Sequence, residues 1–250
     1  MKTIALYNIK GGVGKTATAV NLAYLAALEN IQTLLIDLDP QGSASFYFKI
    51  KPSKKFSQKK LLAGGRSVDK HIKGTDFEGL DLLPADISYR NLDIALDSLK
   101  RSQKRLKEIL KPFKKEYDLI ILDCPPNVTL LSENVFFAAD HIIVPTIPTT
   151  LSIVSLNKLL RFFEDTNIDK QKLISFYSMV EKRKTMHRQI LNTSKQEKLN
   201  FLETHIPYNA DIEKMGIYRQ PTTYFSTNSV ASKAYNSLWS EIKNLILKTG

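Results

Sequence analysis

Short apolar runs alternate along the chain with longer stretches whose apolar residues recur every three or four positions. Residues 3–8, 33–36, 80–83, 119–122, 141–145 and 173–179 form continuous runs rich in Ile, Leu and Val. Such runs suit strands covered on both faces. Residues 15–29, 91–99, 103–111, 130–139, 153–163, 187–195 and 232–247 carry the helical period. Strands that alternate with helices predict an α/β fold, a mostly parallel central β-sheet flanked by α-helices on both faces. No internal repeat or low-complexity linker breaks the pattern, so residues 1–250 are read as one domain. In the last helical stretch Leu238, Trp239, Ile242, Leu245 and Ile246 share a side. A helix docked on the core is preferred there to a membrane-surface helix, because its basic residues are few (Lys233, Lys243, Lys248) and Glu241 interrupts them.

The first strand runs into Lys10-Gly11-Gly12-Val13-Gly14-Lys15-Thr16, and a helix is expected from there on. Strand, glycine-rich turn, Lys-Thr and helix together make a phosphate-binding loop. The glycines let backbone N–H groups turn inward around an anion, and the helix N-terminus adds its dipole. Gly11, Gly12, Val13, Gly14, Lys15, Thr16 and Ala17 are therefore the candidate nucleotide-binding residues. Lys15 would reach the β- and γ-phosphates, and the Thr16 hydroxyl would take a place on Mg²⁺. The alternative, a glycine turn before an ordinary helix, would have to meet all four features by accident.

The general pattern puts its first glycine where this chain has Ile9, and Lys10 precedes the glycine pair instead. This K-G-G-V-G-K-T is a deviant Walker A motif, and the chain resembles the ParA/MinD family of P-loop ATPases. The resemblance implies a P-loop NTPase fold, ATP and Mg²⁺ as cofactors, and hydrolysis of ATP to ADP and phosphate. It implies a homodimer that sandwiches ATP, with Lys10 reaching the partner's phosphates in the manner of an arginine finger. Asp37-Leu38-Asp39-Pro40-Gln41-Gly42 resembles the family's first switch. By that resemblance Asp39 positions the attacking water, and Asp37 helps to hold Mg²⁺ or the Thr16 hydroxyl. An apolar strand ending in Asp123 is a Walker B pattern, so Asp123 joins Thr16 and Asp37 as a metal candidate. Cys124-Pro125-Pro126 then resembles the second switch, whose conformation follows the γ-phosphate. Cys124 has no obvious base beside it and is read as a packing cysteine.

The second half carries weaker signals. Residues 179–190 resemble a family segment, with Arg183 and Gln189 on matching positions. Lys182, Arg183, Lys184 and Arg188, with His187 if protonated, are the candidate DNA-phosphate contacts; a solvated loop is the alternative. Residues 205–211 resemble the segment near the adenine, which makes Pro207 and Asn209 candidate base contacts. Tyr208 and Asp211 stand where many relatives carry arginine.

Composition adds a partner. Lys and Arg number 36 against 25 Asp and Glu, a net charge of +11. That suggests a polyanion, although a lysine-rich surface alone would give the same number. Two further basic stretches stand out, residues 49–60 with six lysines and residues 99–115. A solvated insertion is preferred for the first and a solvated helical face for the second. The one cysteine excludes an internal disulfide and a multi-cysteine metal site. Met1-Lys2 meets the first strand with no room for a signal peptide, and no run reaches the ~18 apolar residues of a membrane span. A cytoplasmic, nucleoid-associated protein is expected. The resemblance then implies a partition ATPase whose ATP dimer binds DNA nonspecifically, with a ParB-like or adaptor protein that stimulates hydrolysis. The rival is a MinD-like membrane-surface ATPase that regulates cell division.

Overall fold

The computed structural model describes residues 1–99, 102–196 and 201–247. Lys100, Arg101 and Lys248, three of the basic residues noted above, lie outside them. The strands are β1 (Lys2–Leu6), β2 (Thr33–Asp37), β3 (Lys73–Gly74), β4 (Leu80–Leu83), β5 (Leu119–Asp123), β6 (His141–Thr146) and β7 (Leu173–Tyr177). They form one sheet in the order β3-β4-β2-β5-β1-β6-β7. Every pairing is parallel except that of β3 with β4. The two-residue edge strand β3 lacks the apolar run that marks the others, so the sequence pattern misses it.

The first half of the chain supplies α1 (Lys15–Leu28), α2 (Ser43–Tyr47), α3 (Gln58–Ala63), α4 (Arg66–Asp69), α5 (Leu92–Asp97), α6 (Arg105–Leu110) and α7 (Leu130–Ala138). The second half supplies α8 (Thr150–Asp165), α9 (Thr185–Gln196), α10 (Ala210–Glu213), α11 (Met215–Tyr218), α12 (Thr222–Phe225) and α13 (Val230–Leu247). The Ala- and Leu-rich α1 has strong helix formers throughout. It stops in a Schellman turn: Ile31 N donates to Ala26 O and Asn30 N to Ala27 O, with Asn30 at φ 61°.

Side chains of successive strand residues leave on opposite faces, and this builds two cores. Ala5, Tyr7, Leu34, Ile36, Ile120 and Leu122 pack toward α5, α6, α7 and α8. Ile4, Leu6, Leu35, Leu119 and Ile121 pack toward α1 and α13. Leu238, Trp239, Ile242 and Ile246 of α13 are at most 2% exposed, so this helix is part of the core, as the preferred sequence reading has it. Glu241, which breaks the basic run, accepts hydrogen bonds from Glu203 N and Thr204 N and fastens α13 to the segment before it. The basic stretch 49–60 is less free than expected. Phe48, just before it, and Phe56, within it, are buried in opposite cores, and the residues of the stretch that are exposed are lysines.

The order of the strands places the site. β1 lies between β5 and β6, and β5 lies between β1 and β2. The loops leaving β1, β2 and β5 therefore open side by side at the carboxyl ends of the strands, where α/β sheets bind ligands.

Candidate functional site

The loop after β1 is built by backbone conformation. Gly12 (φ 69°) and Gly14 (φ 90°) are left-handed, and Gly14 is the residue from which α1 starts. A Cβ at either would be strained, and the same turns bring N–H groups inward. Two side chains brace the loop. Asn8 accepts from Lys10 N at 2.8 Å and donates to Pro145 O at 2.8 Å, tying the loop to β6. Ser178, just past β7, donates its hydroxyl to Val13 O at 2.7 Å. Neither was singled out from the sequence; Asn8, which sits between strand and loop, was the readable one.

Lys15 is buried, and its Nζ donates to Lys10 O at 3.1 Å across the loop. Burial pushes its ammonium below the ordinary lysine range, and the carboxylates of Asp123 and Asp39 pull it back up. A cation held by a backbone carbonyl in a glycine cradle is ready to exchange that carbonyl for phosphate oxygens. The ammonium of Lys10 makes no hydrogen bond within the described residues, and Gly11 and Gly12 beside it are exposed.

The carboxylates behind the loop divide sharply. Asp37 and Asp123 end adjacent strands in register, and both are fully buried. Asp37 is satisfied: Oδ2 accepts from Ser45 N (2.8 Å) and Ser45 Oγ (2.7 Å), and Oδ1 accepts from Asp39 N (3.3 Å). Ser45 accepts in turn from Ala85 N at 3.0 Å. Burial pushes Asp37 up to about 6 against these hydrogen bonds. Asp123 has no hydrogen-bond partner on either oxygen. Burial and the charge of Asp37 raise its pKa well above the carboxylate range, and the Thr16 hydroxyl and Lys15 only moderate this. A buried carboxylate without donors is costly unless something positive meets it. With the Thr16 hydroxyl it offers hard oxygen ligands, which suit Mg²⁺; that ion needs only one or two protein ligands beside phosphate and water. Among the described residues no group of three or more His, Cys, Asp or Glu side chains is arranged to hold a metal ion by itself.

Asp39 lies on the loop after β2, half-exposed. Its Oδ1 accepts from Gln41 N at 2.9 Å, and its carbonyl accepts from Gly42 N at 2.8 Å. This tight turn ends at Gly42 (φ 65°), where α2 begins. The loop after β5 passes beside the glycines: a Cβ on Gly11 would stand 3.9 Å from Pro126. Cys124 is buried and its thiol is pushed up by burial and by Asp123, as a packing cysteine would be.

The second-half candidates are brought together in part. Val180, Lys182, Arg183, Pro207 and Tyr208 line one cleft of about 400 Å³. It adjoins the phosphate loop, because Met179 approaches Gly14 and Val180 bridges to Pro207. Asn209 caps α10 by accepting from Asp211 N at 2.8 Å. Lys182, Arg183, Lys184 and Arg188 are exposed, but Lys184 is paired with Glu181 at 2.5 Å. His187 corrects the sequence reading. It is buried, accepts at Nδ1 from Glu181 N (3.1 Å), and its pKa is lowered by burial and by Lys184. It is neutral architecture and adds no charge to this surface.

A glycine cradle, a lysine inside it, a Lys-Thr helix start and an orphaned strand-end aspartate define a P-loop nucleotide-binding site. The comparisons agree. A family model described as an AAA domain matches residues 1–176. The sporulation initiation inhibitor protein Soj of Bacillus subtilis (strain 168) is 31% identical over 96% of this chain and 98% of its own length. The chromosome partitioning protein ParA of Caulobacter vibrioides (strain NA1000 / CB15N) is 28% identical over 97% of this chain and 94% of its own length. A crystal structure of a plasmid partition protein from Borrelia burgdorferi B31 bound to AMPPNP superposes with a TM-score of 0.85 at 26% identity, covering 98% of this chain and 99% of that one. This chain belongs to the ParA/MinD family of P-loop ATPases.

Proposed function

We propose that the protein is an ATP-hydrolysing partition or cargo-positioning protein, folded as one domain over residues 1–250. In this reading an ATP-bound homodimer binds DNA nonspecifically, and a ParB-like or adaptor protein stimulates hydrolysis. The single observation that carries the reading is Lys10, an unbonded cation on the exposed lip of the loop that holds Lys15. Lys15 already occupies the loop, so a second lysine there has no anion of its own and is free to meet phosphates of another protomer.

The residues divide the work as follows. The backbone of Gly11 to Ala17 holds the phosphates, and Lys15 neutralises the β- and γ-phosphates. Pro207, which lines the adjoining cleft, and Asn209 two residues on would flank the base. Thr16 and Asp123 would hold Mg²⁺, which when bound neutralises charge on the same phosphates; a solved relative, cobyrinic acid a,c-diamide synthase from Mycobacterium smegmatis, carries an ATP analogue with magnesium. Asp37 stands behind Asp123 and orients the first switch through Asp39 N. Asp39 positions the attacking water. Lys10 of one protomer adds positive charge at the partner's γ-phosphate. Lys182, Arg183 and Arg188 supply phosphate contacts, which gain avidity when two copies are joined.

The membrane-surface rival has less support, since α13 spends most of its apolar side on the core. The test is DNA binding by the parent, Lys10→Ala and Asp39→Ala, each with ATP and with ADP, across a salt series. Binding only with ATP by the parent and Asp39→Ala, and none by Lys10→Ala, is the expected result. Equal binding with either nucleotide contradicts the clamp.

A further inference from the structure

A second basic cleft lies at the opposite end of the sheet from the phosphate loop. It has a volume of about 350 Å³ and is lined by Lys104, Lys107, Glu108, Lys111, Phe137 and Lys172. We propose that this cleft between α6, the end of α7 and the start of β7 grips the phosphate backbone of DNA, and that α7 links it to the second switch. The proposal rests on the DNA-binding reading above and adds a second face to the Lys182, Arg183 and Arg188 contacts.

Charge here is concentrated and uncompensated. Lys107 of α6 and, in the tighter turns that flank this helix, Lys104 and Lys111 are all exposed and line the same cleft. Glu108 is the one acid in the lining, and Arg105 occupies it at 2.9 Å. Lys172 closes the cleft from the β7 side. Burial and the Lys107 charge hold its ammonium below the ordinary lysine range, and Asp140 and Asp169 offset this in part. Lys172 is already held by backbone carbonyls, but Lys104, Lys107 and Lys111 make no ion pair among the described residues and are open to an anion. By contrast, the loop at 182–188 loses Lys184 to Glu181 and His187 to a backbone N–H.

The choice of DNA over a lipid surface follows from what surrounds the lysines. Phe137 is half-buried, and Lys104 stands over its ring at 5.9 Å. The large apolar side chains that are exposed in this protein, such as Leu151, Ile217 and Val230, lie on other elements; none lies on α6 or at the end of α7. An anionic membrane would find charge here but nothing to insert, whereas a phosphate backbone needs charge alone.

The walls of the cleft are fastened to α7. Lys172 Nζ donates to Phe136 O (3.3 Å) and Ala139 O (2.9 Å), pinning the last turn of that helix. The buried Asn134 accepts from Leu106 N at 3.0 Å and fixes the start of α6. The other end of α7 is set by a capping box between Thr129 and Ser132, directly after the Cys124-Pro125-Pro126 segment. A nine-residue helix of about 13 Å thus connects the loop at the nucleotide to the lysines. Movement of the second switch with the γ-phosphate would shift Phe137 and the cleft with it.

The experiment titrates a labelled random-sequence DNA duplex with the full chain and ATP, across a salt series. It compares the parent with Lys104→Gln/Lys107→Gln/Lys111→Gln, with Lys107→Gln alone, and with Lys182→Gln/Arg183→Gln/Arg188→Gln. Losing three phosphate contacts should flatten the log–log salt slope by about 2.7, and the single variant by about 0.9. The triple variant should also bind at least tenfold more weakly at low salt. Thermal midpoints keep a folding defect apart from a lost contact, and the single variant reads the cleft if the triple one unfolds. A parent that binds with ATP and a cleft variant with the same affinity and slope overturn the proposal and leave the DNA reading standing. A parent that binds no DNA with either nucleotide overturns both. Loss of binding to phosphatidylserine vesicles without loss of DNA binding in the cleft variants also overturns it, in favour of a membrane.

Discussion

Asp37 and Asp123 sit side by side at the ends of β2 and β5, equally buried, and yet they are opposites. Asp37 receives three hydrogen bonds from Ser45 and Asp39, so its charge is answered by the chain itself. Asp123 receives none. Burial raises the pKa of both; at Asp37 three hydrogen bonds resist the rise, whereas at Asp123 only the nearby Thr16 hydroxyl and the Lys15 charge moderate it. The difference separates architecture from function. A satisfied buried carboxylate holds a loop in place; an unsatisfied one stores a cost that a ligand can relieve.

The largest effect that would sharpen this contrast is on chemistry. Asp123→Asn keeps the shape of the side chain and removes the charge. It should slow single-turnover ATP hydrolysis by at least about 100-fold, equivalent to about 2.7 kcal/mol of lost barrier lowering. A rate within threefold of the parent would break the assignment. Asp37→Ala should act on stability instead. It strands the Ser45 and Asp39 donors and should cost about 2–4 kcal/mol in urea unfolding without nucleotide. If Asp37→Ala left stability unchanged and Asp123→Asn lowered it, the two roles would be reversed.

The smallest effect comes from His187, a third group answered by the chain. Its folded pKa is depressed below the ordinary 6.5, because burial and Lys184 disfavour the charged ring and Nδ1 must stay unprotonated to accept from Glu181 N. A depressed histidine stabilises the fold above the unfolded pKa, and that contribution is lost as pH falls through the folded value. Unfolding midpoints between pH 8 and pH 5 should therefore fall more steeply for the parent than for His187→Gln. Parallel curves would show that His187 carries no such linkage.

What the sequence revealed follows the same division. The phosphate loop and the placement of Asp37, Asp39 and Asp123 beside it were readable because such a loop asks for particular residues at fixed short spacings after a strand. The groups that set their environment were not. Ser45 answers Asp37 across eight residues, Ser178 braces Val13 across 165, and Lys172 pins α7 across 33. Serines and lysines in such places look like any others until the sheet brings them together. Local pattern also failed at β3, too short and polar to register, and at His187, where a basic neighbourhood masked a buried ring. The docked α13 was readable, since one apolar side at helical spacing is what a core helix needs.

The contrast between the two aspartates is decided by the thermal midpoint of the parent and Asp123→Asn, each alone, with a non-hydrolysable ATP analogue, and with the analogue plus Mg²⁺. Asp123→Asn should be the more stable protein when alone, because a buried acid that desolvation penalises and no hydrogen bond supports is gone. Mg²⁺ should add roughly 5–10 °C to the analogue-bound parent at about 100 times its dissociation constant, and little or nothing to the variant. A variant that gains as much from Mg²⁺ as the parent, or that is less stable alone, would contradict the claim that Asp123 waits for a cation.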